Sequence, residues 1–103
     1  MSDDIKSFVE GAINENFIVL FTKSFCPYCH KAVKTIKDLK ENYTEYQLDN
    51  LPNGAEVQDY LLQKTKQRTV PNIFIGQQHV GGNDDLQTAK TSGRLKQLLN
   101  SRA

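Results

Sequence analysis

A chain of 103 residues has room for one hydrophobic core and not two, so a single domain over residues 1–103 is expected. Thirteen basic and twelve acidic residues leave a formal charge of +1, which gives no reason to expect a nucleic acid or membrane surface as partner. The longest purely apolar run, Phe17 to Phe21, is far too short to span a bilayer, and Met1-Ser2-Asp3-Asp4-Ile5 lacks the basic and apolar regions of a secretory signal. A cytoplasmic protein is therefore expected, in a compartment where ordinary thiols stay reduced and a structural disulfide is out of place.

Ile5, Phe8, Val9, Ala12 and Ile13 recur at helical spacing, with Ser2, Asp3 or Asp4 as the cap. Residues 17–22 are almost continuously apolar, as central parallel strands buried on both faces tend to be. A second helix begins at Pro27, whose missing N–H costs nothing at that position, and is expected to run to about Glu41. Tyr43 to Leu48 alternates as a second strand, Pro52-Asn53-Gly54 breaks the chain, and Val57, Tyr60, Leu61 and Lys64 trace a third helix. Pro71 to Ile75 and Gln78-His79-Val80 form a hairpin around Gly76-Gln77, stopped by Gly81-Gly82. Asn83 is placed to cap the next helix, with Asp84 and Asp85 in its first turn, and Gly93 separates it from a last helix carrying Leu95, Leu98 and Leu99. A βαβ unit followed by a ββα unit gives a four-stranded mixed sheet between helices, with the first strand delivering residues 23–29 to its carboxyl edge.

Cys26-Pro27-Tyr28-Cys29 occupies that edge and holds the only two cysteines. Two cysteines three positions apart on a helix are neighbours, close enough for a disulfide. A purely structural bridge would close so short a loop that it would stabilise little. Zinc needs four ligands, and only His30 and His79 are obvious candidates to join the cysteines. Cys26-Pro27-Tyr28-Cys29-His30 also matches the C-x-x-C-H haem-attachment pattern, with His30 as one axial ligand and Met1 the only methionine. A redox-active dithiol suits the strand-to-helix setting best, because thiolate is the nucleophile and a helix N-terminus favours negative charge.

The two cysteines are then inequivalent. Cys26 at the helix entrance faces the unpaired first-turn N–H groups and is the nucleophile; Cys29, one turn in, is the resolving thiol. Lys23 adds positive charge beside Cys26, unless it is simply a solvated loop residue. His30 and His79 are read as ordinary surface side chains.

Lys23-Ser24-Phe25-Cys26-Pro27-Tyr28-Cys29, then Thr69-Val70-Pro71, then Gly81-Gly82-Asn83-Asp84-Asp85-Leu86 resemble a dithiol glutaredoxin over nearly the whole chain. Thioredoxins share the fold but usually carry Trp-Cys-Gly-Pro-Cys, and this chain has no Trp. The resemblance implies an α/β, thioredoxin-like fold: a four-stranded mixed β-sheet flanked by about five helices. It implies a cis Pro71, and a backbone N–H and C=O of Val70 that pair with the cysteinyl unit of glutathione. It places Lys23 and Gln58, with Arg68 in support, at the glycyl carboxylate, Asn83 and Asp84 at the γ-glutamyl end, and Tyr28 along the groove. Solvation of Gln58 and plain helix capping by Asn83 and Asp84 are the competing readings; Asp84 stands where relatives often carry a small hydroxyl residue.

The function so implied is glutathione-dependent reduction of protein–glutathione mixed disulfides and protein disulfides, by a monomer with glutathione as cosubstrate and no metal. A second role left open is that of an iron–sulfur cluster carrier, which some relatives fulfil as dimers through the equivalent of Cys26 and glutathione. Pro27 weighs against it by stiffening the loop that must open around a cluster.

Overall fold

The computed structural model describes residues 3–102. In chain order it comprises α1 (Asp3–Glu15), β1 (Ile18–Thr22), α2 (Pro27–Asp38), β2 (Thr44–Gln47), a short 3-10 turn (Leu48–Asn50), α3 (Gly54–Thr65), β3 (Asn72–Ile75), β4 (Gln78–Gly81), α4 (Asn83–Ser92) and α5 (Arg94–Leu99). The sheet order is β2-β1-β3-β4. β1 is parallel to β2 and antiparallel to β3, and β3 is antiparallel to β4, so the sheet is mixed as expected.

All five residues of β1 are buried because helices cover both faces. Ile18 and Leu20 pack with Ile73, Ile75 and the apolar sides of α2, α4 and α5. Val19 and Phe21, pointing the other way, pack with Phe74 and the buried residues of α1 and α3. Phe21 lies 5.8 Å from the Tyr46 ring in a stacked pair and 6.1 Å from Phe74 edge to face. Burying each such side chain contributes about 1.5–3 kcal/mol. β1 is thus a fixed rail, and the loop at its carboxyl end is held by the core of the molecule.

On the α1/α3 face, Tyr60 donates its hydroxyl to Glu10 at 2.6 Å and the Lys64 ammonium stands 3.0 Å from the same carboxylate. The β3–β4 turn is a two-residue hairpin with Gly76 at φ 57° and Gln77 at φ 68°, the paired left-handed conformations of a type I′ turn.

Several boundaries differ from the sequence expectation. Asp3 and Asp4 lie inside α1 as first-turn acids, not before it, while Ser2 falls outside the described residues. α2 stops at Asp38, three residues short of Glu41, because Lys40 turns left-handed at φ 58°. β2 excludes Tyr43 and Leu48; Leu48 instead opens the 3-10 turn with its side chain buried. Gly54 is the first residue of α3, not part of the break, and its missing Cβ lets the helix sit directly on the Leu48 carbonyl. Pro71 precedes β3, consistent with its having no N–H for the ladder. Gly81 belongs to β4 and pairs with Ile73 beside a bulge.

Candidate active site

Cys26 is the residue that caps α2, with φ −94° and ψ 113°, and its Sγ accepts the Cys29 backbone N–H at 3.2 Å. Pro27 follows with no N–H to leave orphaned, and the Cys26 carbonyl takes the His30 N–H at 3.1 Å to start the helix. The sulfur therefore sits at the N-terminus of α2 with the Cys29 N–H directed at it, a setting that favours negative charge. Its other neighbour is the Val70 carbonyl oxygen, 3.8 Å away.

Cys29 is different in kind. It is fully buried, and burial above all, reinforced by the adjacent Cys26 sulfur and the charge of Glu45, pushes its thiol up to about 12. Both cysteines are free. One thiol is reachable at a helix entrance and the other is sealed and held protonated at neutral pH.

The loop before Cys26 is braced from outside. Ser24 gives its backbone N–H to Asp49 at 2.9 Å and its hydroxyl to the second carboxylate oxygen of the same residue. Those two bonds, the hydroxyl first, hold the Asp49 carboxyl below its usual range, with the charge of Lys23 helping. His30 is exposed on α2 as read from the sequence, and its Nε2 lies 2.8 Å from the Ser24 carbonyl, so this side chain also braces the loop. His79 departs from the surface reading. It is half-buried with Nε2 2.8 Å from Asn72 Oδ1, and burial lowers its pKa.

The Val70–Pro71 peptide bond is cis, as the resemblance implied. Gln67 spans this loop: its Nε2 donates to the carbonyls of Thr69 at 3.0 Å and Pro71 at 2.9 Å. Beside it runs an open groove of about 480 Å³. Tyr28, Gln67, Thr69, Val70 and Pro71 form one wall, and Gly82 with Asn83, Asp84 and Asp85 the other. Its volume is within the range of about 300–1,000 Å³ common for small-ligand clefts.

The far wall is the start of α4. Gly82, and not Asn83, is the capping residue; Asn83 is already helical and its Oδ1 accepts from Gln87 at 3.2 Å. Asp85 folds back to accept the Gly82 N–H at 2.9 Å. Gly81 stands at φ 119°, and a side chain there would run into that Asp85 carboxylate. The two glycines therefore let the chain turn sharply from β4 into α4 and bring its N-terminus against the cis-proline loop.

Of the residues singled out from the sequence, Tyr28, Val70, Pro71, Asn83 and Asp84 line the groove, and Cys26 abuts Val70. Lys23, Gln58 and Arg68 do not line it. Gln58 donates to the Arg68 carbonyl at 2.7 Å, and Arg68 pairs with Asp59 at 2.5 Å. Sequence reasoning missed the clasping role of Gln67 and the loop brace of Asp49. Gln67 had a signal, a polar side chain four residues before Pro71; Asp49 had none, since Ser24 is distant in sequence. Among the described residues, no group of three or more His, Cys, Asp or Glu side chains stands close enough to hold a metal ion.

The glutaredoxin family model matches residues 18–80. The chain is 44% identical to Glutaredoxin-2 of Schizosaccharomyces pombe, over 96% of this chain and 90% of that one. The chain belongs to the glutaredoxin family. It is also 50% identical to Glutaredoxin-1 of Rhizophagus irregularis over 92% of this chain and 94% of the relative. In three dimensions it is similar to buckwheat glutaredoxin, solved as a complex with glutathione, with a TM-score of 0.91 at 35% identity over 97% of this chain and 94% of that one. The fold is accordingly thioredoxin-like, with the four-stranded mixed sheet and five helices of glutaredoxins.

Proposed function

We infer that this glutaredoxin is a glutathione-dependent thiol–disulfide oxidoreductase that reduces protein–glutathione mixed disulfides, with Cys26 as nucleophile and Cys29 as resolving thiol. The asymmetry of the dithiol carries the reading: Cys26 Sγ accepts the Cys29 N–H at 3.2 Å at a helix entrance, while Cys29 is sealed with its thiol pushed up to about 12. The Cys26 thiolate attacks the glutathionyl sulfur of the mixed disulfide. The S–S bond breaks, the protein sulfur leaves as a thiolate and takes a proton, and glutathione stays on Cys26. A second glutathione thiolate attacks that glutathionyl sulfur, giving oxidised glutathione and free Cys26. On a protein disulfide, the Cys26 thiolate attacks one sulfur and the other leaves as a thiol. Cys29 then loses its proton, attacks Cys26 and displaces the second substrate sulfur as a thiol, which closes the Cys26–Cys29 disulfide for two glutathione molecules to reduce.

The groove is assigned to glutathione, the ligand held by the buckwheat relative. The tripeptide's cysteinyl unit lies along the Val70 backbone as a short added strand. Asn83 and Asp84 at the start of α4 take its γ-glutamyl end, where backbone N–H groups receive the carboxylate and Asp84 the ammonium. For the glycyl carboxylate, Gln58 and Arg68 keep N–H donors beyond those given to the Arg68 carbonyl and to Asp59, and Lys23 makes no ion pair among the described residues. Tyr28 borders the groove, more than half exposed.

Glutathione-coupled turnover of a glutathionylated protein tests this directly. Cys26→Ser is expected to abolish it and Cys29→Ser to retain it; equal rates in the two variants would overturn the roles.

A further inference from the structure

A second groove, of about 350 Å³, runs between α2 and the edge strand β2 on the opposite side of Cys26 from the first. His30, Val33, Lys34 and Lys37 form one wall at i, i+3, i+4 and i+7, a single stripe of α2. Glu45 and Gln47, alternate residues of β2, form the other. Because β2 is parallel to β1, Gln47 and His30 mark the end nearest the dithiol, and the groove leads away from there.

The charge around it is lopsided. Residues 23–40 carry five lysines and one aspartate, a net +4, while the remaining eight basic and eleven acidic residues give −3. Lys31, Lys34, Lys37 and Lys40 are all exposed; the first three lie three positions apart on α2, so neighbouring ammonium groups repel, and Lys40 follows just beyond its end. Among the described residues, only Lys34 of the four has an ion pair, to the exposed Asp38 at 3.0 Å. The one acid facing the groove, Glu45, already accepts the Thr22 hydroxyl at 2.8 Å. On the other side of Cys26, the first groove carries Asp84 and Asp85. Phe25 and Tyr28 flank the nucleophile, 72% and 58% exposed.

We propose that the α2–β2 groove and its lysine ridge dock the polypeptide of the glutathionylated substrate, selecting protein cysteines that have acidic residues beside them. This rests on the function inferred above. With glutathione in the first groove, the attached polypeptide settles on the rest of the rim around Cys26. An extended segment of about three residues spans the ridge from Lys31 to Lys37, at about 1.5 Å of helix and 3.3 Å of strand per residue. Charges at such a rim act mainly on encounter and partner choice, not on the chemistry at the sulfur.

The test uses three substrates: two glutathionylated peptides of equal length, one flanked by Asp and Glu and one by Lys and Arg, and the small mixed disulfide of glutathione with cysteamine. The intact protein is expected to turn over the acidic peptide with a KM about tenfold below the basic one, the gap closing as salt is raised. Lys34→Glu combined with Lys37→Glu is expected to reverse that preference and leave the small disulfide unchanged. Equal KM values in the intact protein, or a preference that survives the reversal, would overturn the docking assignment with the small-disulfide activity intact. Loss of small-disulfide turnover in the intact protein would instead bring down the function on which it rests. Tighter binding of a single-stranded oligonucleotide than of the acidic peptide would overturn the choice of a protein partner.

Discussion

Cys26 Sγ and the Val70 carbonyl oxygen stand 3.8 Å apart although the two residues are forty-four positions apart in the chain. Gln67 keeps that neighbour in place by clasping the carbonyls on either side of Val70, those of Thr69 and Pro71. Gln67→Ala removes both bonds and leaves the loop freer at about 0.5–1.5 kcal/mol per bond. The expected result is a KM for glutathione raised about five- to tenfold, with a much smaller change in kcat, read from initial rates at saturating mixed disulfide.

Gly81→Ala strikes the opposite wall. The left-handed φ of 119° and the Asp85 carboxylate both oppose a side chain at that position. Asp85 must move and release the Gly82 N–H it holds at 2.9 Å. A loss of about 1–3 kcal/mol is expected in urea unfolding, together with weaker glutathione binding by calorimetry.

Alkaline pH acts through two groups. The Cys29 thiol is pushed up to about 12 from an ordinary 9.0, chiefly by burial, and the Tyr60 hydroxyl to about 12 from 10.0, chiefly by its bond to Glu10. In each case the folded chain holds its proton longer than the unfolded one. Their contribution is therefore intact below pH 9 and is lost as pH rises toward 12. The urea midpoint should fall across that window, and Cys29→Ala should flatten part of the fall while leaving the Tyr60 part.

Glu10 works with the opposite sign. Burial raises its pKa, but the Tyr60 hydroxyl and the Lys64 ammonium outweigh burial and leave the carboxyl below 4.5. Its contribution is present above that value and lost as pH falls through the lower folded one. Tyr60→Phe should cost about 1 kcal/mol near neutrality, lessen the acid sensitivity of the unfolding midpoint, and leave turnover unaffected, since Tyr60 lines neither groove.

Local chemistry carried much of this structure into the sequence. The apolar spacing of Ile5, Val9, Ala12 and Ile13 is the buried face of α1, and the unbroken run Ile18 to Phe21 is the strand covered on both sides. Pro27 after Cys26 marked the helix entrance, and Gly76-Gln77 the hairpin. What stayed hidden depends on partners far along the chain. Nothing near Asp49 announces that it holds Ser24, and nothing near Gln58 that it donates to the Arg68 carbonyl. The cap of α4 moved from Asn83 to Gly82 because Asp85 reaches back to a backbone N–H, a choice set by the turn out of β4. Lys40 ended α2 early in a left-handed conformation that lysine seldom adopts, and no residue type nearby signalled it.

The most direct test of the central claim is to incubate the reduced protein, Cys26→Ser and Cys29→Ser with oxidised glutathione at neutral pH and weigh the products by mass spectrometry. One glutathionyl group is expected on Cys29→Ser, carried by Cys26, and none on Cys26→Ser, whose remaining thiol is sealed and protonated. The unsubstituted protein should go on to the Cys26–Cys29 disulfide. A stable adduct on Cys29 in Cys26→Ser, or none on Cys26 in Cys29→Ser, would contradict that claim.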